Sequence, residues 1–298
     1  MANDTGIPSA SSETPAADAT EYNTWNPPKA SPSQSPTPTG TKTTTIDALL
    51  YPSGSKSLSG ISLRAFLLGT TLGLSTALTL TLLNITDYFN LDSDWSPHYL
   101  WRLPFFLSSL ALFHFLEYYI TAAHNTRYAD VAAFLLSTNG WAYNVAHSSA
   151  AVECLLGYLF CPRDSYFEFT ASVDGVKVQV VAGLLFMVVG QVIRSLAMAQ
   201  AGSNFNHTVQ VERKDGHMLV THGIYSVLRH PSYFGFFWWG LGTQLVLGNV
   251  VCFVGYAVVL WKFFSSRIQR EERFLIAFFG EEYVEYKKRT IVGIPCIA

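Results

Sequence analysis

The chain of 298 residues is 49% hydrophobic and 14% aromatic but only 13% charged, roughly half the charged share of a soluble globular domain. That deficit excludes an ordinary water-soluble enzyme and sets much of the surface against lipid. A formal net charge of −2 leaves no basic footprint for nucleic acid.

Residues 1–57 are rich in Ser, Thr, Pro and Ala, and seven of the thirteen prolines fall before position 40. Such a composition buries too little apolar surface to offset the entropy of ordering, which predicts a disordered, solvated tail. It has no basic segment followed by an apolar core, so no cleavable signal peptide is expected. The first span follows, from Ala65 to Thr86, without a charged residue and long enough for a hydrocarbon core of ~30 Å. Lys56 and Arg64 precede it, and Asp87, Asp92 and Asp94 follow. The basic flank belongs to the cytoplasmic side, which places the tail there too.

The second span, about His98 to Ala122, carries His114 and Glu117 three residues apart on one face. Ionisable groups inside a membrane must face a partner or a cavity, and the simpler reading is a structural polar pair between helices. A third hydrophobic stretch, Val131 to Phe160, contains Asn139-Gly140 and several small residues and reads as packed against neighbouring helices, with an interfacial piece. Cys161-Pro162-Arg163-Asp164 reads as a short lumenal loop. The next span covers about Val176 to Ala199, with Arg194 near its cytoplasmic end, placed to snorkel.

From Pro231 to Trp261 there is no Asp, Glu, Lys or Arg. One helix of that length would reach ~45 Å, too far for a single crossing. Gly248-Asn249 near the middle offers turn chemistry, which predicts two short helices in a hairpin. Lys262, Arg267, Arg270, Arg273, Lys287, Lys288 and Arg289 then form a basic cytoplasmic tail. The expectation is an all-α integral membrane protein with about six transmembrane helices and both termini cytoplasmic. It divides into a tail (1–57), an N-terminal bundle (58–200) and a catalytic region with hairpin and tail helix (201–298).

Cys154, Cys161, Cys252 and Cys296 show neither CxxC pairing nor zinc-ligand spacing, so no metal is expected. Cys296 stands third from the end, whereas a prenylation signal needs it fourth, so the chain is not itself a prenylation substrate by that rule. The glycosylation sequons at Asn3, Asn84 and Asn206 read as chance matches.

The last hundred residues hold the chemistry. Their polar residues cluster at Asn204-Phe205-Asn206-His207-Thr208-Val209-Gln210, at His217-Met218-Leu219-Val220-Thr221-His222-Gly223-Ile224-Tyr225, and at Arg229-His230-Pro231-Ser232-Tyr233-Phe234-Gly235. Pro231 turns His230 away from helix and opens a helix just after it. The free N–H groups of that first turn suit a ligand carboxylate or hydroxyl, although an interfacial helix entry would look the same. Gly235 and Gly240 permit close helix approach. Arg267 and Glu271, four residues apart, share a helix face, either as a surface ion pair or at the mouth of a site.

These segments, followed by Glu271-Glu272 and by Phe279-Gly280-Glu281-Glu282-Tyr283 with Glu285-Tyr286-Lys287-Lys288-Arg289, resemble the isoprenylcysteine carboxyl methyltransferase family. The Arg229-to-Gly235 pattern with the Glu pair is shared with phospholipid methyltransferases and some sterol reductases. The Asn204-to-Gln210 segment, together with Phe113-His114, Glu117-Tyr118 and Thr121-Ala122, narrows the resemblance to the prenyl-protein enzymes over residues 60–298. The resemblance implies an endoplasmic reticulum enzyme that uses S-adenosylmethionine. Its acceptor would be the C-terminal prenylcysteine carboxylate of CaaX-processed proteins such as Ras- and Rho-like GTPases. Carried over by position, the cofactor site comprises Gln210, His217, Met218 (through its main chain), Leu219, Val220, Tyr225, His230, Pro231, Ser232, Tyr233 and Glu271. By the same resemblance Arg267 would bind the substrate carboxylate.

Methyl transfer to a carboxylate needs no general base, because an α-carboxyl with a pKa of about 3.5 is already ionised. Alignment and desolvation are what the protein must supply, and orientation alone is worth roughly 7–11 kcal/mol. The planar fork of Arg267 suits that task, with Glu271 either moderating it or meeting the cationic part of the cofactor. An aromatic face such as Tyr225 favours a sulfonium over its neutral product. A phosphatidylethanolamine N-methyltransferase would instead need a base for its amine and gains nothing from Arg267. A sterol-type reductase would need a nicotinamide site that is not legible, and a non-catalytic scaffold would have no use for the polar clusters.

Overall fold

The computed structural model describes residues 48–88, 100–160, 172–173, 176–213 and 216–297, all within a compact unit spanning Ile46–Ala298. Most of the expected tail, together with Asp92, Asp94 and the Cys161–Asp164 loop, lies outside the described residues.

Among the described residues seven α-helices follow in chain order: α1 Leu58–Tyr88, α2 Arg102–His124, α3 Trp141–Phe160, α4 Val178–Ala201, α5 Pro231–Leu247, α6 Val251–Phe279 and α7 Glu281–Arg289. A two-residue antiparallel pair, β1 Ser172–Val173 with β2 Val176–Lys177, leads into α4. By length and composition α1, α2, α4 and α6 are able to cross a membrane, while α3 and α5 are shorter, at 20 and 17 residues.

Local chemistry sets the boundaries. The first helix starts seven residues before the expected Ala65, because Ser57 caps it by accepting the Gly60 N–H at 3.0 Å, and a Ser N-cap satisfies one of the orphan donors of the first turn. The stretch from Val131 to Phe160 is broken rather than continuous. Asp130 caps a 3-10 turn at Val131–Phe134, Leu135 and Gly140 take positive φ of 55° and 79°, and α3 begins afterwards.

The hairpin turns at Gly248-Asn249 as expected. Gly248 ends α5 in the left-handed conformation at φ 77°, which costs glycine nothing. Its second arm is not short, however. With no Gly or Pro from 262 to 279, and with Phe264, Ile268 and Glu272 buried along one face, α6 runs unbroken to Phe279 and carries Arg267 and Glu271 on the same rod as the membrane segment.

Helices α4 and α5 pack most closely, through facing glycines. A Cβ on Gly190 would lie 2.5 Å from the carbonyl oxygen of Gly235, and one on Gly183 would lie 2.8 Å from that of Gly242. Helices meet this tightly only where small residues let the backbones approach. Gly240 gives α5 a similar approach to Leu260 of α6. At the hairpin tip, Glu153 of α3 accepts the N–H groups of Val250, Val251 and Cys252 at 2.9, 2.8 and 2.7 Å. One carboxylate from a third helix thereby fixes the start of α6. Outward faces are apolar: Phe66, Leu67, Leu74 and Leu78 of α1 and Val254, Val258 and Val259 of α6 are exposed, a surface suited to lipid.

Candidate active site

Pro231 opens α5, and the chain entering it is clamped from the C-terminal side. The N–H of Arg229 donates to the Ile291 carbonyl and the N–H of Ile291 to that of Val227, both at 3.0 Å. Trp238 and Trp261 donate their indole N–H groups to the carbonyls of Gly293 (3.3 Å) and Pro295 (2.9 Å). The last residues therefore strap both arms of the hairpin together around the Arg229–Tyr233 turn.

From that turn the side chains reach α6. Arg267 Nε donates to the Tyr233 hydroxyl at 2.8 Å, and that hydroxyl donates to Glu271 Oε2 at 2.5 Å. Arg267 and Glu271 are thus joined through Tyr233, rather than as the direct surface pair their spacing allowed. Arg267 Nη2 donates to the main-chain carbonyl of His207, and its guanidinium lies 5.2 Å from the ring centre of Tyr233. The Tyr233 ring is stacked between His230 (5.5 Å) and Phe264 (5.2 Å).

Behind this cluster stands a second one. Glu272 accepts from Arg229 Nε at 2.7 Å and from Lys287 Nζ at 2.5 Å, with His230 Nε2 3.3 Å away. Arg229 Nη1 also donates to the Thr290 carbonyl at 2.8 Å. One buried carboxylate so ties α6 to α7, to the turn and to the C-terminal strap. The adjacent acidic pair divides its labour: Glu271 faces Arg267 and Glu272 holds the frame.

The third cluster corrects the expectation for Arg194. It does not snorkel; it is buried, at 7% exposure. Its Nε donates to Glu117 Oε1, its Nη2 to Glu117 Oε2 at 2.8 Å and its Nη1 to the Ser232 hydroxyl at 2.8 Å. The rings of Phe113 and Phe236 lie on it, each at 5.4 Å. A bidentate partner on the neighbouring helix outweighs snorkelling, because it satisfies the fork without pulling the chain out of the packed interior. Glu117 accordingly pairs with Arg194 and not with His114, which joins the Phe134 carbonyl and the Tyr143 hydroxyl at 2.8 and 2.9 Å.

His207 sits between the clusters. Its Nδ1 lies 3.7 Å from Glu117 Oε2, and its Nε2 is buried without a hydrogen-bond partner among the described residues. Burial pushes its pKa down; Glu117 opposes this, and Arg194 and Arg267 add to it. The imidazole is therefore neutral at neutral pH. Tyr225 donates its hydroxyl to the Ala197 carbonyl at 3.2 Å, and burial, with Tyr286 and Glu271 nearby, holds it well above the usual phenol range.

The structure thus brings together Tyr233, Arg267, Glu271 and His230, with Pro231 opening the helix that presents them. Ser232 faces Arg194. The strip from His217 to Val220 is held elsewhere. His217 packs on Phe278 and Phe279 at 5.9 and 5.3 Å, and Met218, 67% exposed, donates its N–H to Asn204 Oδ1 at 2.9 Å. Gln210 makes a local contact, to the Thr208 carbonyl at 3.4 Å. Glu117, Arg194, Glu272 and the His207 carbonyl were not singled out as site residues. For the first two the signal was present, as charges in otherwise apolar spans. A main-chain carbonyl leaves no trace in sequence.

Residues 182–277 match the model of the isoprenylcysteine carboxyl methyltransferase family. The chain is 47% identical over 192 residues to the protein-S-isoprenylcysteine O-methyltransferase of Saccharomyces cerevisiae, covering 64% of this chain and 79% of that protein. It is 42% identical over 237 residues to the human protein of the same name, covering 80% and 75%. A solved eukaryotic intramembrane Ras methyltransferase, an isoprenylcysteine carboxyl methyltransferase, superposes with a TM-score of 0.67 at 33% identity, over 80% of this chain and 77% of that one.

Proposed function

Since the chain belongs to the isoprenylcysteine carboxyl methyltransferase family, we propose that it esterifies the C-terminal carboxylate of prenylcysteine with a methyl group from S-adenosylmethionine, at Arg267, Tyr233 and Glu271. The observation that carries the placement is Arg267, a cation held rigidly by Tyr233 and the His207 carbonyl on the helix that leaves the membrane segment. A fixed guanidinium in a partly buried setting is what a carboxylate acceptor requires.

The residues present fit a cationic methyl donor. Glu271 gives one carboxylate oxygen to Tyr233, and its charge is felt by both Tyr225 and Tyr233. An acid with two aromatic faces beside it suits a sulfonium. When bound, S-adenosylmethionine supplies an activated methyl group that needs no metal and no general base. Arg267 binds and orients the acceptor carboxylate. Tyr225 stays a neutral hydroxyl, so no phenolate competes as a nucleophile. The neutral His207 adds no third cation beside Arg194 and Arg267. The packed aromatic floor of Phe236, Phe264 and Trp239 keeps water from the acceptor on the membrane side, and removing water strengthens every charge interaction there.

The acceptors are prenylated C-terminal cysteines of CaaX-processed proteins, Ras- and Rho-like GTPases among them. Their isoprenoid reaches the site from the bilayer between helices. The enzyme resides in the endoplasmic reticulum membrane with its site on the cytoplasmic side, where the basic residues after the hairpin lie. The test is transfer of labelled methyl to N-acetyl-S-farnesylcysteine in membranes carrying this protein, with phosphatidylethanolamine in parallel. Base-labile ester on the farnesylcysteine is expected, with loss of turnover in Arg267→Ala and retained S-adenosylmethionine binding. Methylation of the lipid amine alone would refute the reading, and loss of cofactor binding in the variant would reassign Arg267.

A further inference from the structure

Arg267 has three restraints and one free arm. Nε is taken by the Tyr233 hydroxyl and Nη2 by the His207 carbonyl, while the rings of Tyr233 and Phe263 lie at 5.2 and 5.8 Å from the guanidinium carbon. The Tyr233 hydroxyl directs its one proton at Glu271 Oε2, so its oxygen meets Arg267 as an acceptor. The edge of the guanidinium formed by Nε and Nη2 is therefore occupied on both nitrogens. Nη1 is the nitrogen for which the described residues supply no acceptor.

Carboxyl methylation makes this arrangement consequential. In the transfer, a lone pair of one carboxylate oxygen forms the new C–O bond as the C–S bond breaks and its electron pair stays on sulfur. The carboxylate becomes a neutral ester, the sulfonium becomes a neutral thioether, and no proton moves. Charge on the acceptor falls along the reaction path, so every charge contact made to it is stronger in the ground state than in the transition state. A guanidinium fork gripping both oxygens would tighten binding and slow transfer.

Resting on the carboxyl methyltransfer reading, we infer that Tyr233 is a positioning residue. It closes the Nε–Nη2 edge of Arg267, so that the acceptor carboxylate is met at the end of the guanidinium, through Nη1, and is not gripped side-on. Glu271 supports this by drawing the phenol proton to itself. The two residues moderate Arg267 through a hydrogen-bond relay rather than by a direct ion pair.

The experiment is steady-state kinetics on Tyr233→Phe, with Glu271→Gln as the second variant and cofactor binding measured for both. Tyr233→Phe keeps the ring stacked on His230 and Phe264 but frees Nε to compete with Nη1 for the carboxylate and turn it side-on. The expected result is a fall in kcat of about 100-fold, the scale of a misoriented reacting pair, with KM for N-acetyl-S-farnesylcysteine unchanged or lower and cofactor affinity intact. Glu271→Gln, assayed at saturating S-adenosylmethionine, should shift both parameters the same way by a smaller factor. In Tyr233→Phe, a rise in KM at unchanged kcat, or a parallel loss of cofactor affinity, would overturn the inference and make Tyr233 a plain ligand. A wild-type enzyme that fails to methylate the prenylcysteine would instead remove the underlying reading.

Discussion

His207 serves through two groups at once: its carbonyl oxygen receives Arg267, and its ring is packed beside Glu117. Because burial holds the folded-state pKa below the ordinary value of 6.5, the unfolded chain takes up the proton first as the pH falls. The stability of the fold is undiminished above 6.5 and declines as the pH drops through the folded-state value. Thermal unfolding of the purified protein between pH 8 and 5 should show that decline, and His207→Gln, which cannot protonate, should flatten it. An identical profile in the variant would assign the decline to other groups. At this scale the sequence was partly informative. Arg267 and Glu271 could be read as neighbours from their four-residue spacing. Tyr233, separated from them by 34 and 38 residues, could be associated with them only through a resemblance, because its place between them depends on how α5 lies against α6.

Among the elements, the α4–α5 pair bears most on the site, since α4 carries Arg194 and α5 presents Ser232 and Tyr233. Their spacing rests on Gly190 and Gly235, where even one methyl group would overlap the opposing backbone. Gly190→Ala is expected to cost about 1–3 kcal/mol through overpacking, seen as a lower melting temperature in detergent. Gly69→Ala, at a position with nothing within 4 Å, should not lower the melting temperature. Equal behaviour of the two variants would remove the close approach as a determinant of stability. The hairpin turn was legible because Gly248-Asn249 carries its own local chemistry. The length of α6 was not, because charged residues after Trp261 signal the end of an apolar segment but not the end of a helix. Amphipathic burial of Phe264, Ile268 and Glu272 continues the rod past that point.

Over the whole molecule, the C-terminal residues close the site. The strap from Thr290 to Pro295 joins Arg229, Trp238 and Trp261, and Lys287 of α7 joins Glu272 of α6. Ending the chain at Arg289 removes the strap while sparing the helices. It should lower methyl transfer per folded protein by about tenfold or more, as displacement of a site from its working geometry does; full activity of the shortened chain would show that the turn holds itself. What the sequence determined by itself was the membrane class, the main helical segments and the hairpin. Each of these follows from composition, local turn chemistry or short spacing, which act within a few residues of chain. The tertiary structure alone decided that Arg194 is paired rather than snorkelled, that Glu272 frames the site while Glu271 faces it, and that Tyr233 stands between Arg267 and Glu271. Those outcomes depend on which of several chemically suitable partners arrive at hydrogen-bonding distance, and in a bundle that choice is made by helix packing across tens of residues.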